Sequence, residues 1–358
     1  MFAILILVLF LVGCDVAPFD LFVCTQEAVC QTTIDRSLYV FLEHGQDTGI
    51  VVPGLRQNFV PQGIAYWPER NWFLLSGYFA PVSQQLSSVI LAVDGRTGKM
   101  TGEYTLQDLD GKAYNGHFSG VTVGESDLFV TGSYCLYRIP LGEFARVGRK
   151  GSLQVSQELS VSTAAASCVY ANGILWVGEH YHAKAYPLKG EHVMRGNDGQ
   201  IYSAWLIGYQ ITKQGELTPC AVYSIPDRIQ GVAVSEDGKV VLSQSYGRTN
   251  PSAILIYQNP HIRQPDAWVQ ADGLQVPLWF LDSTNGVESM DAPPMAEGCC
   301  YVDGFVYVIF ESAAYFYRAF MPENPSLHPI DSIWKLEIKK SAPLLRCLFY
   351  LPSSIFRL

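Results

Sequence analysis

One short sequence motif occurs five times along the chain, and it constrains the fold more than any other feature. Each copy begins with a polar residue and a small one, continues as an apolar strand, turns, and returns as a second apolar strand with a polar end. The copies span 60–78, 117–134, 165–181, 228–246 and 293–312. Successive copies start about 50–65 residues apart, the length of one four-stranded unit with its loops. This repeat indicates a ring of similar sheets.

The repeats align on their polar-plus-small steps: Gln62-Gly63, Ser119-Gly120, Ser167-Cys168, Gln230-Gly231 and Glu297-Gly298. Further apolar segments follow each hairpin and predict third strands at 89–94, 135–141, 205–212, 253–258 and 332–338. Fourth strands are expected at 102–106, 153–159, 220–225 and 276–282. Turn residues recur throughout, with little helical periodicity. The sequence therefore predicts an all-β fold, a β-propeller of five blades; six blades, using 30–55 and the C-terminal tail, is the alternative.

The fifth unit lacks a fourth strand of its own. Residues 49–54 directly precede the first unit, where every other unit has its outer strand. We therefore predict that an N-terminal strand completes the last blade and closes the ring, which leaves only short, protected sheet edges. Residues 344–351 are the competing candidate for this position.

The N-terminus predicts export. Residues 1–13 form an uncharged apolar run that is too short to span a bilayer but suits a signal peptide. Leu11-Val12-Gly13-Cys14 resembles the lipobox of bacterial lipoproteins, which implies lipidation of Cys14; an ordinary cleaved signal peptide or an uncleaved anchor is the alternative. We expect an exported protein, lipid-anchored in the cell envelope or secreted. The chain divides into a signal peptide and lipobox (1–14), a tether and lead-in (15–47), the propeller (48–340) and an apolar C-terminal tail (341–358).

The amino-acid composition limits the classes of partner that we expect this protein to bind. The net charge is −9 and no cluster of Lys or Arg occurs, which argues against nucleic acid as a partner. Aromatic residues make up 13% of the chain and include 20 Tyr, which suits half-exposed strands and also stacking against carbohydrate rings. Cys24 and Cys30 precede the repeats and could form a local disulfide, whereas no Cys pair has the CxxC spacing of a structural zinc site.

Polar residues gather at two places in every repeat, the start of the first strand and the end of the second. The two strands are antiparallel, so both places lie on one face of a propeller, which we call the polar face. This face is the expected ligand site, the alternative being side chains that satisfy one another and bound water. The predicted ligand-binding residues are Gln62, Tyr78, His117, Ser119, His180, Gln230, Gln244, Tyr246, Arg248 and Arg318.

Three carboxylates at this face are candidates for catalysis: Glu297, Glu311 and Glu179. Two of them could act as general acid and base, or bind calcium through oxygen ligands. His117, His180 and His182 offer a transition-metal site as an alternative to ordinary loop histidines. Arg248 and Arg318 could clamp an anionic group or anchor loops by salt bridges.

Two groups of residues in this sequence resemble known protein families. The step Ala296-Glu297-Gly298 resembles the Glu-Gly step that carries a metal-ligating Glu in gluconolactonase and senescence-marker-protein propellers, which implies a metal role for Glu297. The strings at 61–67, 242–248 and 293–312 resemble an uncharacterised group of secreted bacterial β-propeller proteins. That second resemblance implies the fold and export, but no activity.

Three functional hypotheses remain open from the sequence. The first is recognition of a small polar ligand, such as a carbohydrate, at the polar face. The second is a hydrolase or lyase that uses Glu297 with Glu179 or Glu311, with calcium as a possible cofactor. The third is a scaffold for another envelope protein.

Overall fold

The computed structural model describes residues 24–30, 34–80, 88–114, 116–188, 190–212, 214–286, 288–320 and 325–339. Five sheets stand in a ring, so the predicted five-bladed, all-β propeller is confirmed. The predicted signal peptide, Cys14, the alternative closing segment 344–351 and the predicted C-terminal tail 341–358 lie outside the described residues. Among the helices of the described part, none is long and apolar enough to cross a membrane.

The strands are numbered in chain order, and each blade takes its first strand from one repeat. The N-terminal strand β1 (Gln46–Val51) belongs to blade five. Blade one contains β2 (Phe59–Trp67), β3 (Trp72–Phe79), β4 (Val89–Asp94) and β5 (Met100–Gln107). Blade two contains β6 (Val121–Val123), β7 (Asp127–Gly132), β8 (Cys135–Pro140) and β10 (Gln157–Ser160), while β9 (Lys150–Gln154) adds to blade one.

Blade three contains β11 (Ser167–Ala171), β12 (Ile174–Gly178), β15 (Ala204–Ile211) and β16 (Leu217–Ile225), with the small hairpin β13 (Met194–Arg195) and β14 (Ile201–Tyr202) in the loop after β12. Blade four contains β17 (Ile229–Val234), β18 (Val240–Gln244), β19 (Ser252–Tyr257) and β22 (Glu288–Ala292). Strands β20 (Ala267–Ala271) and β21 (Leu274–Phe280) extend blade three. Blade five contains β23 (Ala296–Val302), β24 (Phe305–Phe310), β25 (Ser332–Glu337) and β1.

Helices are short and lie outside the sheets. The α-helices are α1 (Val40–His44) and α2 (Glu143–Val147), and a π-helix spans Phe316–Phe320 after β24. Single 3-10 turns lie at Arg36–Leu38, Leu55–Gln57, Pro68–Arg70, Gly190–His192, Pro260–Ile262 and Ser283–Asn285.

The ring closes as predicted, through the N-terminal strand. β1 pairs antiparallel with β25, and Gln46 lies opposite Lys335. The preceding segment 24–30 reinforces this junction: the side-chain amide of Gln26 donates to the carbonyls of Val51 (2.7 Å) and Gly98 (2.6 Å). Asp331 accepts from the backbone N–H groups of Val29 and Cys30, at 2.7 and 2.8 Å. The N-terminal strand β1 and segment 24–30 therefore join the first blade to the last.

Two expected fourth strands were assigned wrongly. Segment 276–282 was expected in blade four, but β21 runs parallel to β16 in blade three, with Val222 opposite Leu278. Segment 153–159 is divided, because β9 pairs with β5 and only β10 pairs with β8. Val276 and Leu278 are buried in the core of blade three, where they pack in the same apolar cluster as Val222 of β16. Periodicity predicts a strand, but it does not specify which sheet edge the strand will cover.

The small residue in the polar-plus-small step of each repeat is explained by close contact between neighbouring blades. A Cβ atom on Gly298 would lie 2.7 Å from the Cα of Gly63 in the next blade and 2.8 Å from the carbonyl oxygen of Gln62. A Cβ on Gly231 would lie 2.7 Å from the amide nitrogen of Cys299. The first strands therefore approach one another backbone to backbone, and we call this ring of steps the channel neck.

Cysteine pairing differs from the expectation. Cys24 and Cys30 are separate thiols, as are Cys135, Cys168, Cys220, Cys299 and Cys300. Cys24 is buried beneath blade one, and the Cys30 thiol donates to the carbonyl of Pro329 at 3.1 Å. Burial raises the pKa of the Cys30 thiol to about 12, so this group stays protonated at neutral pH.

Candidate functional site

The polar face brings four of the predicted residues into one hydrogen-bonded cluster. Glu297 and Glu311, both from blade five, are hydrogen-bonded to each other, and we call them the carboxyl pair. The side-chain amide of Gln230, from blade four, donates to Glu297 at 3.1 Å. The amide of Gln62, from blade one, donates to Glu311 at 2.9 Å. Residues from three blades thus meet above the channel neck.

The two carboxyl groups are not equivalent. Glu297 is only 2% exposed, and its pKa is raised, first by burial and then by the negative charge of Glu311. Burial also raises the pKa of Glu311, but hydrogen bonds from Gln62 and Tyr317 and the positive charge of Arg248 oppose that rise. Glu297 therefore holds its proton more strongly than Glu311, whose pKa is raised to about 7 and which is the more accessible of the two.

Aromatic rings form the wall beside the pair. The Tyr317 hydroxyl bonds to Glu311 and lies 3.4 Å from the hydroxyl of Tyr78. The Tyr78 ring contacts His117, with the ring centres 4.2 Å apart, and the guanidinium of Arg248 lies 4.9 Å over the Tyr317 ring. Tyr317 was not among the predicted ligand-binding residues. It lies in the π-helix after β24, within the aromatic run 315–318, of which only Arg318 was predicted to bind ligand.

His117 lies in this wall, in contact with the Tyr78 ring. Its side chain is exposed, yet desolvation by surrounding protein lowers its pKa to about 4. Its Nδ1 lies 3.3 Å from the hydroxyl of Ser119, another predicted ligand residue. His117 is therefore neutral at physiological pH and available for hydrogen bonding.

Glu179 does not join the carboxyl pair. It is 1% exposed within blade three, where it accepts from the backbone N–H of Trp205 at 2.9 Å. It also lies 2.9 Å from Nδ1 of His192, whose ring stacks on Trp205 with centres 4.0 Å apart. These contacts identify Glu179 as part of the buried support of the loop after β12.

The remaining predicted residues are engaged elsewhere on the face. His180 Nδ1 lies 3.1 Å from the carbonyl of Ile229, and Tyr246 stacks on His182 with ring centres 4.0 Å apart. The Gln244 amide donates to the carbonyl of Asp227 at 2.8 Å. Arg318 donates to the carbonyl of Ala313 at 2.7 Å and so anchors its own loop.

The carboxyl pair does not have the form of a calcium site. Across the described ranges, no three His, Cys, Asp or Glu side chains converge to hold a metal ion. Calcium takes six to eight oxygen ligands, whereas Glu297 and Glu311 are bridged by a proton and the charge of Arg248 acts on Glu311. The histidines likewise bond to separate partners.

A cavity lies at the opposite end of the channel, where ligand binding was not expected. Its volume is about 350 Å³, and it opens among the turns between the first and second strands. Residues from blades one, two, three and five line it, at the neck and on its far side from the carboxyl pair. We call it the turn-side cavity.

Comparison with known proteins adds solved structures of low similarity. No protein-family model and no curated protein matches the chain. Aldose sugar dehydrogenase from Streptomyces coelicolor, in its PQQ-bound form, is 11% identical over 82% of this chain and 97% of its own, with a TM-score of 0.46. A protein described as a gluconolactonase is 13% identical over 82% of this chain and 91% of its own, with a TM-score of 0.33.

Hydrazine synthase of Kuenenia stuttgartiensis is 13% identical over 69% of this chain, with a TM-score of 0.35, and the present chain spans 55% of its length. The expected resemblance to gluconolactonase-type propellers is thus found among solved structures, at low identity. Likenesses this distant carry no argument about the activity of the present chain.

Proposed function

We propose that the polar face recognises a small, uncharged molecule rich in hydroxyl groups, such as a carbohydrate. The observation that carries this proposal is the buried carboxyl pair, held by glutamines from two other blades. Burying a carboxyl pair costs free energy that an apolar pair of similar size would not. Buried carboxyl groups with perturbed pKa values are therefore better explained by a functional role than by stability.

The chemistry of the wall supports a neutral ligand. The negative charge of Glu311 is opposed by the positive charge of nearby Arg248, so neither an anion nor a cation is strongly favoured. Gln62, Tyr317 and Ser119 supply donors and acceptors, and Tyr78 offers a ring face against which a sugar can stack.

Hydrolysis or lyase chemistry is the second candidate, favoured by the unequal protonation of the pair. Glu311 would act as base, with Glu297 behind it as the source of a proton. The carboxyl groups of glycosidases stand at least about 5 Å apart, whereas Glu297 and Glu311 are in hydrogen-bond contact. Glu297 is also almost fully buried. Recognition without turnover therefore accounts better for the geometry.

The decisive experiment is calorimetric titration of the purified protein with a panel of neutral mono- and disaccharides. We expect at least one sugar to bind, and Glu311→Gln to weaken its binding by about tenfold, equivalent to about 1.4 kcal/mol. Glu216→Gln, at an exposed carboxylate, is the matched control and should bind normally. Product analysis of the same mixtures detects turnover, which would favour the hydrolase. Absence of sugar binding, or equal binding by Glu311→Gln, would contradict the proposal.

We also propose that the protein acts outside the cytoplasm, anchored through Cys14. The support is the apolar run 1–13 and the lipobox-like step before Cys14. In a bacterial host, Cys14→Ala should move the protein from the membrane fraction to the soluble fraction. Membrane association that survives this change would argue against the lipid anchor.

A further inference from the structure

The turn-side cavity begins one residue beyond the neck on three blades and at the neck itself on blade three. Ile64, Val121 and Cys299 each follow a neck glycine, and Cys168 is itself the neck residue of blade three. A volume of about 350 Å³ falls within the range of small-molecule sites. None of the residues of the carboxyl pair or its glutamine partners lines this cavity. It is therefore a second site, structurally separate from the polar face.

Three tyrosines line the cavity, each half-buried near the end of a first strand: Tyr66, Tyr170 and Tyr301. Two of these rings are held by their hydroxyl groups. The Tyr66 hydroxyl donates to the side-chain oxygen of Asn71 at 2.8 Å, and the Tyr170 hydroxyl donates to Glu125 at 3.0 Å. The rings are therefore fixed in place, and their hydroxyl groups already have partners.

The charged side chains of the cavity lining are both acidic. Glu69 and Glu125 are exposed on the turns of blades one and two, and no Lys, Arg or His is among the lining residues. Arg70, next to Glu69 in the sequence, lies over the rings of Trp67 (5.1 Å) and Trp72 (5.0 Å). The cavity therefore combines aromatic rings with uncompensated negative charge.

We propose that the turn-side cavity binds a methylated ammonium group. Aromatic faces attract cations, most strongly where water is partly excluded, and carboxylates at the rim add Coulomb attraction. The rest of the lining includes Ile64, Val121 and Val169, which suit methyl groups better than a strongly hydrated primary ammonium. A bare metal ion is disfavoured because hard cations take six or more oxygen ligands, and the only carboxylates that the lining supplies are those of Glu69 and Glu125.

Choline is the probe, and 3,3-dimethyl-1-butanol, which has the same shape without the charge, is its neutral control. Calorimetric titration of the intact protein should show choline binding at least about tenfold tighter than the alcohol, or about 1.4 kcal/mol. The double variant Glu69→Gln/Glu125→Gln should reduce choline affinity by about tenfold or more. Glu236→Gln, on the equivalent turn of blade four and outside the lining, is the matched control.

Tyrosine variants test the role of the rings. Tyr301→Phe keeps the ring and should retain binding, whereas Tyr301→Leu should weaken it by about threefold to tenfold. Glu311→Gln should leave choline binding unchanged, which separates this site from the polar face. No choline binding at millimolar concentrations, equal binding of the neutral alcohol, or full binding by the double Glu variant would overturn the proposal.

Discussion

Replacing Glu297 by Gln should make the protein more stable at neutral pH, because Gln imitates the protonated carboxyl group. The pKa of Glu297 is raised in the folded state, so its contribution to stability is complete below the ordinary pKa of 4.5 and is lost as pH rises towards the folded value. In the unfolded chain Glu297 is ionised at pH 7, which lies about 2.5 pH units above 4.5. Folding must therefore take up a proton, which costs up to about 3.4 kcal/mol at about 1.4 kcal/mol per pH unit.

The substitution keeps both hydrogen bonds of Glu297. The Gln oxygen can still accept from Gln230, and the Gln amide can donate to Glu311 in place of the acid proton. An amide is a weaker donor than a carboxylic acid, which offsets part of the gain by about 1 kcal/mol. We therefore expect a net stabilisation of about 1–3 kcal/mol at pH 7 and little or none at pH 5.

Urea unfolding at pH 5 and pH 7 measures this effect directly. Glu216→Gln, at an exposed site, is the control and should change the free energy of unfolding by less than about 0.5 kcal/mol at both pH values. The reasoning is refuted if Glu297→Gln is less stable than the wild type at pH 7. An unchanged pH dependence would equally show that Glu297 does not hold the proton.

Four further predictions concern the neck, the ring closure, the buried support and the wall. Gly298→Ala should lower the free energy of unfolding by about 1–3 kcal/mol through contact with the next blade, whereas Gly142→Ala, with open space around it, should have little effect in the same urea assay. Asp331→Ala should speed proteolysis of segment 24–30, because two backbone N–H groups lose their acceptor. Glu179→Ala should lower the free energy of unfolding by about 1–3 kcal/mol in the urea assay, because the buried N–H of Trp205 loses its acceptor, and sugar affinity in calorimetry should be unchanged. His117 should titrate by NMR near its lowered pKa of about 4, and its contribution to stability is lost as pH falls from 6.5 towards 4; titration near 6.5 would mean that the wall is open.

Much of the polar face could be anticipated from the repeats, but the contacts within it could not. Gln62, Gln230 and Glu297 occupy the same position of three repeats, so the propeller geometry alone places them at one end of the channel. Their pairing with Glu311 depends on which rotamers pack between blades. Glu179, at the corresponding end of a second strand in blade three, instead bonds to His192 of a loop that has no counterpart in the repeat.

The sequence by itself determined the first three strands of every blade and the number of blades, because alternation is visible within each strand and the repeat is visible along the chain. The N-terminal closure followed from the fourth strand that the fifth repeat lacks. Only the tertiary structure decided which sheet β9 and β21 extend, which carboxyl groups share a proton, and that the cavity lies at the turn side. Those outcomes depend on contacts between chain segments far apart in sequence. The neck glycines illustrate both contributions. The sequence shows that they recur regularly, and the tertiary structure explains why, because the first strands of the blades approach one another there.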